Sequence, residues 1–234
     1  MKRFYKEVAV TPMDGGFAVL LDSRPVKTPA GKRLSLPRKK LADAIAAEWQ
    51  TQGEIVVVTS MPLLRLANTV IDGVADNREE VIGAILRFGE NDLLCYRAHQ
   101  PPELAARQAA GWDPLLDWVA QQHGANMRVA AGLTHIDQPP EALAALRRAL
   151  ENCDAFSLSG LHVIASITGS VVLALAVVEG FITGTKAFEL SRIDEIYQAE
   201  KWGEDAEAAG RAIALAHELN KAAEFIALVR QCGK

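Results

Sequence analysis

The densest group of residues able to do chemistry is acidic. Asp194, Glu195, Glu200, Glu204, Asp205 and Glu207 crowd the segment 194–207. Carboxylates at this density could hold a hard cation or work as a general acid and base. Part of the run has a local explanation. Glu204, Asp205 and Glu207 fall in the first turn of a helix expected over 204–230, where the helix dipole favours negative charge. Glu207 also stands four residues before Arg211, the spacing of a supporting ion pair. That explanation does not reach Glu195, which sits close to Tyr197, Gln198 and Trp202-Gly203.

Other patterns fall short of chemistry. Gly180-Phe-Ile-Thr-Gly184-Thr-Lys186 has three residues between its glycines, and a threonine precedes the lysine. A phosphate-binding loop needs four residues there and Gly-Lys-Ser/Thr after them, so a helix-to-helix turn is expected instead. The histidines His99, His123, His135, His162 and His217 lack paired metal-ligand spacing, and the cysteines stand far from one another. His162, inside an apolar stretch, has no visible nucleophile or acidic partner and is expected to be a hydrogen-bonded core histidine. No G-x-S-x-G elbow or G-x-G-x-x-G loop occurs. The tryptophans Trp49, Trp112, Trp118 and Trp202 each lie beside a charged residue, a setting common to interfaces and to partly buried anchors.

Composition narrows the classes. With 25 Lys plus Arg against 29 Asp plus Glu the net charge is −4, which argues against nucleic acid as a partner. Cys95, Cys153 and Cys232 are odd in number and far apart, so a reducing compartment is expected rather than a disulfide framework. The opening MKRFYKEVAV has no apolar signal core and is not an Arg- and Ser-rich transit peptide, so a cytoplasmic protein is expected.

The elements that must position these residues change character along the chain. Phe4–Val10 and Phe17–Leu21 read as strands joined through Asp14-Gly15-Gly16. Short pieces at Val26–Thr28 and Leu34–Leu36 extend a small antiparallel sheet. A helix after Pro37 carries Leu41, Ile45 and Trp49, and Ile55–Val58 is β-branched enough to rejoin the sheet. From Pro62 the pattern is helical: Leu63–Val74, Asn77–Phe88, and a helix from Pro101 that Pro114 is expected to interrupt. Pro140–Leu150, Phe188–Trp202 and Glu204–Arg230 follow. The last of these has the clearest stripe, Ala212, Leu215, Ala216, Leu219, Ala222, Ala223 and Ile226. The reading is an α+β fold: a β-rich domain with one helix over 1–62, then a larger all-helical domain over 63–234 around a buried helix, 157–179.

That central stretch, Ala155–Val178, contains no Lys, Arg, Asp or Glu and is close to membrane-spanning length. Ser157, Ser159, His162, Ser166, Thr168 and Ser170 lie within it, and its nearest charges are acidic rather than basic. The middle of a soluble bundle is the expected place for it, without stable membrane insertion.

Several short segments, taken together, resemble a known family. They are Arg3-Phe4-Tyr5-Lys6, Leu21-Asp22-Ser23-Arg24-Pro25-Val26-Lys27-Thr28-Pro29, Ala47-Glu48-Trp49 and Leu66-Ala67-Asn68-Thr69. Asp92 to Arg97, Trp112-Asp113-Pro114 with Trp118, Thr168-Gly169-Ser170, and Glu195 through Ala208 complete the series. In this order they are similar to the assembly chaperones for the alpha subunit of the catalytic sector of F-type ATP synthase. The resemblance implies a β-rich domain followed by a helical one, no catalysis and no cofactor. It also implies transient binding of the unassembled alpha subunit until the beta subunit replaces the chaperone. The client-binding residues it implies are Glu195, Tyr197, Gln198, Trp202, Asp205 and Glu207, with Glu195 meeting a basic or amide group. Trp49 and Trp112 are expected to fix the fold. Mitochondrial members carry a leader, so the resemblance implies a bacterial cytoplasmic member; a monomer is expected because a holding chaperone must keep its surface free. The alternatives are a small-molecule or metal-dependent enzyme using the acidic cluster 194–207, and a membrane-attached assembly factor.

Overall fold

The computed structural model describes residues 1–132, 135–203 and 205–230. Its elements form an α+β fold, a small antiparallel sheet followed by helices, grouped in two compact units. The first unit comprises Met1–Arg78, Ala155–Gly160 and the chain from Glu224. The second comprises Glu79–Asp154 and Leu161–Ala223.

In the first unit, β1 (Val8–Met13) and β2 (Gly16–Leu21) pair antiparallel from Val8↔Leu21 to Met13↔Gly16. Gly15 and Gly16 take positive φ at the turn between them, as Asp14-Gly15-Gly16 foretells. β3 (Arg24–Pro25) adds to β2 through a tight turn in which Asp22 and Ser23 have φ of 47° and 67°. The expected strands at 26–28 and 34–36 reduce to single bridges, Lys27↔Arg33 and Phe17↔Leu36, and Ile55 bridges Lys2. Helix α1 (Lys39–Gln50) lays Leu41, Ile45 and Trp49 in a core with Val19 and Leu21. The Glu48 carboxylate accepts from the backbone N–H of Leu63 (2.8 Å) and Leu64 (2.9 Å), the first turn of α2 (Pro62–Thr69). One wider turn, Val70–Val74, continues that helix. Phe225 and Val229 complete this core.

The second unit opens with the bulk of α3 (Arg78–Glu90). A turn at Leu93–Cys95 leads into β4 (Tyr96–Arg97), and β4 pairs in parallel with β5 (Ala130–Ala131). Between these strands α4 (Pro102–His123) runs straight through Pro114, contrary to the expected break. Pro114 and Ala110, whose carbonyl the missing amide would have met, are both exposed, so neither the lost bond nor the ring falls on a packed face. Helix α5 (Pro140–Glu151) follows as expected.

The central apolar stretch is two helices rather than one, α6 (Ala155–Thr168) and α7 (Val171–Val178). Gly169 takes φ of 67°, and the Ser170 hydroxyl accepts from the Leu173 N–H at 3.0 Å as an N-cap. Every residue of α7 is buried. Among the described residues no helix is long and apolar enough to cross a membrane. The segment Phe188–Trp202 likewise divides, into α8 (Gly184–Ser191), capped by Thr183, and α9 (Ile193–Trp202), because Arg192 leaves the helical region. Helix α10 spans Ala206–Val229; Glu204 and Cys232 lie outside the described residues.

Candidate docking site on α9 and α10

α4 carries α9, and the carrier positions are specific. Gly111 permits close approach: a Cβ there would stand 2.9 Å from both Leu190 Cδ2 and Ile193 Cδ1. The buried Trp112 donates from Nε1 to the Leu190 carbonyl at 2.8 Å, and Gln108 donates to Asp194 at 2.6 Å. Tyr197 turns inward. It is buried, its hydroxyl donates to Glu103 at 3.2 Å, and Arg107 and Lys201 each lie 5.2 Å from its ring. Arg107 pairs with Glu200 at 2.6 Å and Lys201 with Glu103 at 3.2 Å. The Lys201 ammonium holds the Glu103 carboxyl below its usual range.

The opposite face of α9 is open. Glu195, Gln198, Trp202 and Asp205 line a groove of about 360 Å³ with Ile196 and Ala209. Trp202 is 78% exposed and Ile196 44%. The start of α10 continues this character. From Leu219 onward its apolar stripe is largely buried, whereas Ala208, Ala209, Ala212, Leu215 and Ala216 are half-exposed and Ile213 is exposed. An exposed indole beside a partly uncovered apolar helix face, with carboxylates around it, is the composition of a protein-docking surface.

Four of the sequence-derived residues therefore meet in one groove. Tyr197 lies behind them as their anchor, and Glu207 stands to one side, paired with Arg211. The carboxylates do not converge. Asp194 faces Gln108, Glu195 pairs with Arg192 at 3.0 Å, and Glu200 pairs with Arg107. Among the described residues no group of three or more His, Cys, Asp or Glu could hold a metal ion. His162 is half-buried, and burial together with Arg87 holds its pKa below the usual histidine value. Trp118 stacks on Phe181 at 5.1 Å.

The family described as ATP12 chaperone protein matches residues 2–120. This chain belongs to that family. Atp12 from Paracoccus denitrificans, known as a crystal structure, is 41% identical and superposes with a TM-score of 0.94, covering 98% of each chain. The crystal structure of Atu1473 from Agrobacterium tumefaciens is 45% identical with a TM-score of 0.91, over 96% of this chain and 84% of that one. The mitochondrial protein atp12 of Schizosaccharomyces pombe is 26% identical over 214 residues, 86% of this chain and 74% of its own length. The ATP12 match ends before α9, so it fixes the family without bearing on the groove.

Two features of the structure were not read from the sequence. Asp92 was visible only as one letter of a short motif. Its buried carboxylate accepts from Leu94 N–H (3.0 Å) and Val172 N–H (3.1 Å), a pairing across the chain that no local spacing reveals. An aspartate three residues before Cys95 reads as an ordinary cap, which is half of what it does. The second feature is a pocket in the first unit, lined by the opening residues, the β2–β3 turn and Trp49.

Proposed function

We propose that this ATP12-family chaperone binds the unassembled alpha subunit of F-type ATP synthase and is displaced when the beta subunit arrives. The observation that carries this reading is Trp202, 78% exposed in a groove rimmed by Glu195 and Asp205, on a chain whose family is one of chaperones. An indole held out to solvent forgoes burial that a partner could supply, at roughly 25 cal/mol per Å² of apolar area. In this reading Trp202 and Ile196 enter an apolar site on the client. Glu195, Gln198, Asp205 and, at the edge, Glu207 meet basic or amide groups. Tyr197 positions α9 without touching the client. The protein acts as a monomer in the bacterial cytoplasm and performs no catalysis.

Size-exclusion chromatography with isolated alpha subunit, followed by addition of beta subunit, tests the proposal. A co-eluting complex that beta dissolves is expected. Folded, soluble alpha subunit that elutes alone beside this chain would overturn it.

A further inference from the structure

A second concave surface lies in the first unit, away from α9 in the chain. It is a pocket of about 520 Å³ between the opening residues, the β2–β3 turn and α1. Its wall is an aromatic ladder. Phe4 meets Tyr5 edge-on at 5.4 Å, Tyr5 meets Trp49 edge-on at 5.5 Å, and the Tyr5 hydroxyl donates to the Trp49 carbonyl at 2.7 Å. Phe4, which lines the pocket, is 61% exposed. The Trp49 Nε1–H is buried with no hydrogen-bond acceptor among the described residues, a state that buried donors seldom keep.

The rim is basic. Arg24 and Lys27 both line the pocket, and both are exposed. The carboxylate that also lines it, Asp22, is already engaged by the backbone N–H groups of Lys6 and Glu7, both at 2.9 Å, which hold its pKa below the usual range. Those two bonds fix the Asp22-Ser23 turn and hence the start of the strand that carries Arg24. The local sign runs against the whole chain. Over residues 1–78 Lys and Arg outnumber Asp and Glu, although the net charge of the protein is −4.

The surface is also extended. Lys2 bridges Ile55 antiparallel, and Met1 (71% exposed) and Ile55 (61% exposed) add exposed apolar side chains to the segment that carries Phe4 and to the one it pairs with. A compact ligand would use the pocket alone, whereas an extended chain would also cover the exposed side chains of this paired edge.

We propose that this pocket binds an extended acidic peptide segment, seating an apolar side chain against Phe4, Tyr5 and Trp49 and laying carboxylates across Arg24 and Lys27. Binding in this pocket does not depend on which protein the α9 groove holds.

The test is an NMR titration of the full-length 15N-labelled protein with three probes: acetyl-Glu-Leu-Phe-Glu-amide, acetyl-Lys-Leu-Phe-Lys-amide and ADP. The chain has four tryptophans, and Trp49→Phe assigns the indole signal of Trp49. The acidic peptide is expected to shift the Trp49 indole and the Arg24 and Lys27 amides, binding about tenfold more tightly than the basic peptide. The double variant R24E/K27E, which alters exposed side chains only, should weaken that binding about tenfold and leave the remaining spectrum in place. Equal response to both peptides, a stronger response to ADP, or shifts confined to Trp202 would each overturn the proposal.

Discussion

Asp92 accepts a hydrogen bond from the Val172 amide at 3.1 Å, tying the turn after α3 to the first residues of α7. The carboxylate is fully buried, and Ser170, Leu94 and Val171 also bond to it. Burial nevertheless outweighs these partners and pushes its pKa up to about 6. Unfolded, the same group titrates near 3.8. Between those values the folded protein holds a proton that the unfolded chain has released. Stability from this site therefore falls as pH rises through the window and returns as pH falls. The unfolding free energy of wild type relative to Asp92→Asn should increase by about 1 kcal/mol from pH 7 to pH 5. Urea denaturation at the two pH values measures it; a constant difference would place the carboxyl at an ordinary pKa.

Glu48 caps α2 with both oxygens, one to Leu63 and one to Leu64. Removing a side-chain cap costs about 0.5–2 kcal/mol, so Glu48→Ala should lower the thermal midpoint by several degrees. Glu48→Gln, which keeps one acceptor, should fall between. Calorimetry on the three proteins decides whether that ordering holds.

Tyr197 separates packing from contact. Tyr197→Phe loses only the bond to Glu103, about 1 kcal/mol of stability, and should bind the client as wild type does. Tyr197→Ala also removes the ring beside Arg107 and Lys201, and should cost about 3 kcal/mol and weaken client binding through displacement of α9. Client binding lost in the Phe variant, with its melting intact, would make the hydroxyl itself a contact.

Trp202→Ala and Glu195→Lys change exposed residues and should leave melting within about 0.5 kcal/mol of wild type. Each should nevertheless weaken alpha-subunit binding by about tenfold or more. Isothermal titration alongside thermal melting checks both halves, and unchanged affinity in both variants would remove the groove from the interface.

Much of the architecture was legible because its causes are local. Asp14-Gly15-Gly16 announces a hairpin since glycine tolerates positive φ, and the helix after Pro37 shows its buried face through Leu41, Ile45 and Trp49. What escaped depends on solvent exposure or on partners far along the chain. Pro114 is a breaker by type, yet it stands on an exposed face where the missing bond disturbs no packed surface. The division at Gly169 follows from Ser170 capping α7 while Asp92 meets it at Val172, and Asp92 lies 80 positions before Val172. In the segment 194–207 the residue types were readable, but the direction of each was not. Tyr197 faces α4 and Trp202 faces out because Gly111, Gln108 and Trp112 fix the rotation of α9.

The first unit draws its core from three stretches of chain, the last beginning at Glu224. Phe225 and Val229 sit in the same apolar cluster as Leu41 and Trp49. During synthesis the sheet and α1 emerge early, but the side chains that close their core leave the ribosome only after the helical unit. The nascent β-rich segment must therefore wait, with apolar surface uncovered, through translation of the helical unit. A chaperone of this design has its own period of vulnerability, ended only when α10 is finished.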